Sequence, residues 1–100
     1  MTYELEIKEE AVLDIKQIYL YYEAQRIGLG NRFLNTLENY LERVQKYPKH
    51  YQIKRKPYRE VFINDFPYLI IYEIEGNKVI VYAIFNTWSN PNKKPTKPKK

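Results

Sequence analysis

Tyr58–Phe85 reads YREVFINDFPYLIIYEIEGNKVIVYAIF. Three apolar runs are separated by two turn signals, Asn64-Asp65-Phe66-Pro67 and Glu75-Gly76-Asn77. Runs of about six to eight residues rich in Val, Ile, Tyr and Phe, broken in this way, predict consecutive antiparallel strands. Their expected spans are residues 58–64, 67–75 and 78–86. The middle run, Tyr68-Leu69-Ile70-Ile71-Tyr72, is apolar in both alternating registers, the pattern of a central strand covered on both faces.

Upstream, Tyr3, Leu5 and Ile7 alternate with polar residues and predict a first strand with one wet face. Glu9-Glu10 suit the first turn of a helix, where carboxylates meet the positive end of the dipole. Val12, Ile15, Ile18 or Tyr19, and Tyr22 then recur at helical spacing. Gly28 and Gly30 mark a tight connection after Arg26-Ile27, and Asn31 or Gly30 caps a second helix. Phe33, Leu34, Leu37, Tyr40, Leu41 and Val44 form its apolar stripe, and Pro48 stops it. Such a hairpin of two helices must bury both stripes, and the sheet is the surface available. The expected architecture is α+β, in the order β-α-α-β-β-β, with an antiparallel sheet packed on one face by the helical hairpin. A short strand starting at Tyr51 to Ile53, in the loop that follows Pro48, stays open.

One hundred residues make one domain with one core. There is no Cys and one His, so thiolate metal sites and disulfides are excluded, and no Gly-rich phosphate loop is present. No cofactor is expected. No apolar run approaches the roughly 18 residues of a membrane span, and the N-terminus lacks a signal-peptide pattern, so the expected location is the cytoplasm.

The net charge of +5 is carried by five lysines in the last eight residues, leaving residues 1–92 formally neutral. Residues 90–100, where Pro alternates with Lys and Asn, cannot offset their ordering entropy by burial and are expected to be a disordered tail after a domain of residues 1–89. Within the neutral body, Arg43, Lys46, Lys49, Lys54, Arg55, Lys56 and Arg59 follow one another with no acid between them. A segment of that kind attracts phosphates or an acidic partner when it is more than solvated surface.

In their order, these features resemble the RelE/ParE superfamily of type II toxins. The resemblance covers nearly all of residues 3–91. It rests on Ala11-Val12-Leu13-Asp14-Ile15 through Tyr21-Tyr22-Glu23 and on Gly28-Leu29-Gly30-Asn31-Arg32-Phe33. It continues through Pro48, Tyr58-Arg59, Phe66-Pro67-Tyr68 with Ile71-Tyr72, and Ala83-Ile84-Phe85 before Pro91. The resemblance implies a small soluble protein that arrests growth and is neutralised by a cognate antitoxin.

Two activities occur in the superfamily. RelE-like members cut mRNA on the ribosome, which needs a general base, a general acid and cations against the developing phosphorane. The basic positions of that set fall at Arg59, Val61, Leu69 and Trp88 here, and only Arg59 keeps a cation. No aromatic residue follows Trp88, where the catalytic tyrosine belongs. ParE-like members bind DNA gyrase through a surface, and the long hairpin with the Phe66-Pro67-Tyr68 turn favours that branch. The chain departs from many relatives in having Asn86-Thr87-Trp88-Ser89-Asn90-Pro91 where they carry a His and an Arg.

Lys54, Arg55, Lys56, Arg59 and Trp88 are accordingly the expected partner- or nucleic-acid-binding residues. Should the chain act on mRNA, Arg59, His50 and Tyr68 are the candidate catalytic groups. Each has a bland counterpart: a cross-strand pair with Glu73 or Glu60 for Arg59, a solvated surface position for His50, packing under the helices for Tyr68. The expected partners are the antitoxin and gyrase, with the ribosome and mRNA as the alternative; a homodimer stays open.

Overall fold

The computed structural model describes residues 2–95. In chain order it contains β1 (Glu4–Ile7), α1 (Glu9–Gln25), α2 (Leu29–Lys46), a 3-10 turn at Pro48–His50, β2 (Ile53–Arg55), β3 (Tyr58–Phe62), β4 (Tyr68–Glu75), β5 (Lys78–Asn86) and a 3-10 turn at Pro91–Lys93. The five strands form one sheet in the order β1-β5-β4-β3-β2. Both helices contribute to a core with one face of that sheet, so the α+β layering follows from the hydrophobic pattern.

The expected all-antiparallel sheet needs one correction. β2 to β5 are antiparallel to their neighbours, but β1 runs parallel to β5. The extra short strand β2 is the reason. Two antiparallel helices return the chain to the end of the sheet that β1 reached, and each hairpin strand then reverses direction. Three such strands end antiparallel to β1; four end parallel to it.

β4 is the centre. Tyr68, Ile70, Ile71, Tyr72 and Glu73 are all buried, on both sides of the strand. Tyr68, Ile70 and Tyr72 join the helix-facing core with Phe33, Leu37, Tyr40 and Val44 of α2 and Ala11 and Ile18 of α1. The α1 stripe is rotated from the expected one. Ala11, not Val12, faces the core, with Ile15 and Tyr22 packed against it, and Val12 is half exposed. A methyl side chain there lets the helix lie close, a preference that apolar size alone conceals. The α2 stripe is as read, with Leu34 and Leu41 flanking it half-buried.

The hairpin turn depends on Gly28, Gly30 and Glu23. Gly28 has φ +92°, a left-handed conformation that side chains resist. The Glu23 carboxylate, on α1, accepts hydrogen bonds from the backbone N–H groups of Gly28 (2.9 Å) and Gly30 (3.0 Å). It thereby satisfies two donors at the start of α2 and places negative charge at its positive end. At Gly30 the helices touch so closely that a Cβ would lie 2.8 Å from the Tyr19 carbonyl oxygen. Across the turn, Tyr22 packs its ring 5.1 Å from Phe66 and 6.4 Å from Tyr68, fixing the β3–β4 connection against the hairpin.

Of the expected tail, residues 90–95 are described and residues 96–100 lie outside the described part. No helix among the described residues is long and apolar enough to cross a membrane.

Gly30→Ala should cost about 2–3 kcal/mol, because the obstructing atom is backbone and cannot move aside. Glu23→Ala should cost about 1–2 kcal/mol by leaving two amides without their acceptor. Urea unfolding of both variants checks this; a Gly30→Ala midpoint equal to wild type would refute the close-approach account.

Candidate protein-binding groove

β1 is short, and this opens the sheet. It pairs with β5 only at Lys78–Val81. Lys8 then donates its backbone N–H to Val81 (2.9 Å) and the chain turns into α1. Beyond that point, no strand among the described residues pairs with the β1 side of β5. The open edge runs along residues 82–86. An exposed strand edge is a template for a further strand.

α1 runs beside this edge, and the two border a groove of about 1160 Å3. Asp14, Gln17, Ile18 and Tyr21 line it from the helix, residues 82–86 from β5, and Lys93 and Pro95 from the C-terminal segment. Asp14 spans the groove: its Oδ2 accepts the Ile84 N–H at 3.1 Å. Burial raises the pKa of Asp14 above its ordinary value, the Ile84 N–H opposes that rise, and the neighbouring Glu10 adds to it. Leu13, Leu20 and Tyr21 of α1 are each more than half exposed. Of the three, Tyr21 lines the groove, and an exposed aromatic side chain beside an open backbone edge offers both parts of a protein interface, contact area and main-chain hydrogen bonds.

The residues singled out in the sequence do not gather in this groove, except one. Arg59 lies on β3 and donates from Nη1 to the Tyr51 carbonyl, not to Glu60 or Glu73. His50 is exposed at the end of a 3-10 turn, with its ring edge-on to Tyr51 at 5.1 Å. Tyr68 borders the groove yet is 7% exposed. Burial, with Tyr22 beside it, holds its hydroxyl protonated far above the usual phenol range. Arg59 pairs across with Tyr72, four residues along β4 from Tyr68, about 13 Å at strand rise. Tyr68 is therefore distant from Arg59, whereas His50 adjoins Tyr51, whose carbonyl Arg59 binds.

Lys54 on β2 and Lys56 just after it are exposed, with Lys54 Nζ 3.4 Å from the Gln52 Oε1. Arg55 is half-buried and donates to the Pro95 carbonyl. Trp88 is 87% exposed just past β5, where only its backbone N–H is engaged, by Asn86 Oδ1. The tryptophan does not seal the sheet edge. Tyr58 and Tyr72 are buried, and the Tyr72 hydroxyl donates to the Pro48 carbonyl, so these tyrosines pack rather than present a stacking face.

Asp14 was not legible as a site residue. In the sequence it is one carboxylate on the polar side of a helix, and its partner is a backbone amide 70 residues away. The open edge was equally hidden, because strand length and pairing partner are tertiary facts. Exposed apolar residues on α1 did leave a signal: its apolar positions exceed one stripe.

A family model described as the ParE toxin of type II toxin–antitoxin system, parDE, matches residues 5–89. Among solved structures, a chain of the "Chromosomal ParDE TA system from P. aeruginosa" superimposes with a TM-score of 0.76 at 12% identity. The match covers 84% of this chain and 95% of that one, and at such identity the likeness is one of fold. No curated protein matches the sequence significantly.

Asp14→Asn keeps an acceptor for Ile84 and removes the charge that burial disfavours. The native state of the wild type binds the Asp14 proton more tightly than the unfolded chain does. Its stability relative to Asp14→Asn should therefore be highest in acid and fall as pH rises through the ordinary Asp range to the raised native value. Asp14→Ala should instead lose about 1–2 kcal/mol at neutral pH, through the unpaired amide. Urea midpoints of the three proteins between about pH 3 and 7 read both effects.

Proposed function

We infer the function from the premise that this chain belongs to the ParE toxin family of type II toxin–antitoxin systems: it arrests growth by binding DNA gyrase and is silenced by a cognate antitoxin. The observation that carries this reading is the family match across residues 5–89, nearly the whole described chain. Inhibition by binding asks for a surface and no catalytic set. The distance of the buried Tyr68 from Arg59 agrees with it, since general acid–base chemistry needs its groups within hydrogen-bond reach of one substrate.

The groove between α1 and β5 is the antitoxin site in this reading. An extended antitoxin segment pairs with the open edge at residues 82–86, and its apolar side chains cover Ile18 and Tyr21, which line the groove. The pairing leaves Trp88, Lys54 and Lys56, which do not line the groove, to meet the target. Trp88 is the expected anchor, because an exposed tryptophan contributes large contact area at low entropic cost.

After induction in bacteria, DNA synthesis should fall before protein synthesis, as followed by parallel pulse labels. The purified protein should inhibit gyrase supercoiling, and Trp88→Ala should weaken inhibition by about 2 kcal/mol, close to thirtyfold. Early loss of translation with cut mRNA would instead identify a ribonuclease, and the gyrase reading would fall.

A further inference from the structure

The sheet face turned away from the helices is also covered. Tyr58, Ile71 and Ile80 are buried, although they lie outside the helix-facing core. Past Trp88 the chain turns back, makes the 3-10 turn Pro91–Lys93, and lays Lys94 on that face. The Lys94 Nζ is 2.9 Å from Oε2 of Glu60 on β3 and 5.7 Å from the centroid of the Phe85 ring on β5. Arg55 Nη2 donates to the Pro95 carbonyl at 3.2 Å and anchors the next residue to β2. The segment thus straps the sheet from β5 to β2.

Lys94 and Glu60 form an ion pair unlike the others among the described residues. Their side chains are 17% and 9% exposed, whereas each partner in the remaining pairs is at least 38% exposed. An exposed pair contributes little, but a desolvated charge loses much when its partner is removed. A carboxylate on one side and an aromatic ring on the other are the two groups that recognise an ammonium. Lys94 is therefore held as a bound cation is held, by a site that β3 and β5 build without it.

We propose that Glu60 and Phe85 form a recognition site for a basic, proline-bearing segment of a partner polypeptide, which the chain's own residues 90–95 occupy in cis. The occupant defines the chemistry: a lysine after a proline turn, with a backbone carbonyl next to it for Arg55. A partner segment of that character competes with the strap and opens the helix-free face when it wins. The assignment is independent of the gyrase reading.

The test uses the full-length chain, labelled with 15N, and a synthetic peptide with the sequence of residues 90–100. In Lys94→Ala the cis occupant is weakened, and the peptide should bind saturably, shifting the amides of Glu60, Ile71 and Phe85 while those of α1 stay in place. Wild type should bind the peptide about tenfold more weakly, because its own lysine competes at an effective concentration in the millimolar range. The double variant Glu60→Gln/Lys94→Ala should lose about tenfold or more in affinity, and so should a peptide carrying Lys93→Ala and Lys94→Ala. Lys94→Met, which keeps the apolar stem, replaces Lys94→Ala if the alanine variant does not fold. Absence of saturation in a folded variant, equal binding after Glu60→Gln, or shifts elsewhere on the surface each overturns the site. Self-association of the Lys94 variant through the same amides would overturn the partner assignment in favour of a second copy.

Discussion

β4 is apolar on both faces, and the fold is arranged to cover it twice. Ile70 and Tyr72 look toward the helices, and Ile71 and Glu73 look the other way, all of them buried. One cover is conventional: a helical hairpin whose stripes fill the space above the sheet. On the other face the Tyr82 hydroxyl meets Glu73 and its ring packs edge-on to Tyr58, and the segment from Pro91 to Pro95, with its 3-10 turn, is held across β5, β3 and β2 by a ring, an ion pair and one carbonyl. The two covers differ in physical kind. The hairpin is held by burial, which does not depend on a particular partner atom. The strap is held by directed polar contacts, which another segment of the same chemistry can satisfy equally well.

The hairpin also decides what stays open. Lys8 leaves the sheet after four strand residues, and α1 then packs over β5 along its uncovered edge. The lone carboxylate of Asp14 answers the amide that a longer β1 would have bonded. Its position is fixed by the turn at Gly28, by the Glu23 carboxylate that starts α2, and by the close contact at Gly30. The groove therefore results from how short β1 is and how tightly the helices are joined. The β-bulge in β5 at Tyr82 sits at its mouth, where the register with β4 slips by one residue and the Tyr82 hydroxyl turns to the buried Glu73. Burial and that carboxylate both hold the phenol protonated.

Much of the fold was legible in the sequence because periodicity is local. The two-sided apolar run of β4, the α2 stripe and the turn signals at Asn64–Pro67 and Gly76 all follow from residues close in sequence. The α1 stripe was misplaced by one position, since Ala11 looks weak beside Val12 until the distance between the helices is known. The parallel pairing of β1 was missed because it depends on the parity of reversals, which the three-residue strand β2 changed. Among the residues proposed to meet the target, Trp88 was legible as an aromatic past the last strand, and the exposed basic pair Lys54 and Lys56 as a run without acids. Asp14 and Glu60 were not, because nothing near them in sequence marks a carboxylate that will meet Ile84 or Lys94.

By itself, the sequence determined which segments are helices and strands, the two-faced burial of the central strand and membership of a toxin family, since these rest on patterns repeated over a few residues. Only the tertiary structure decided which strand edge stays open, which carboxylate caps it, and that a lysine in a proline-rich tail lies nearly buried between Glu60 and Phe85. The reason is distance along the chain. Asp14 meets a residue 70 positions away and Lys94 one 34 positions away, and such pairs exist only once the core has brought their strands together.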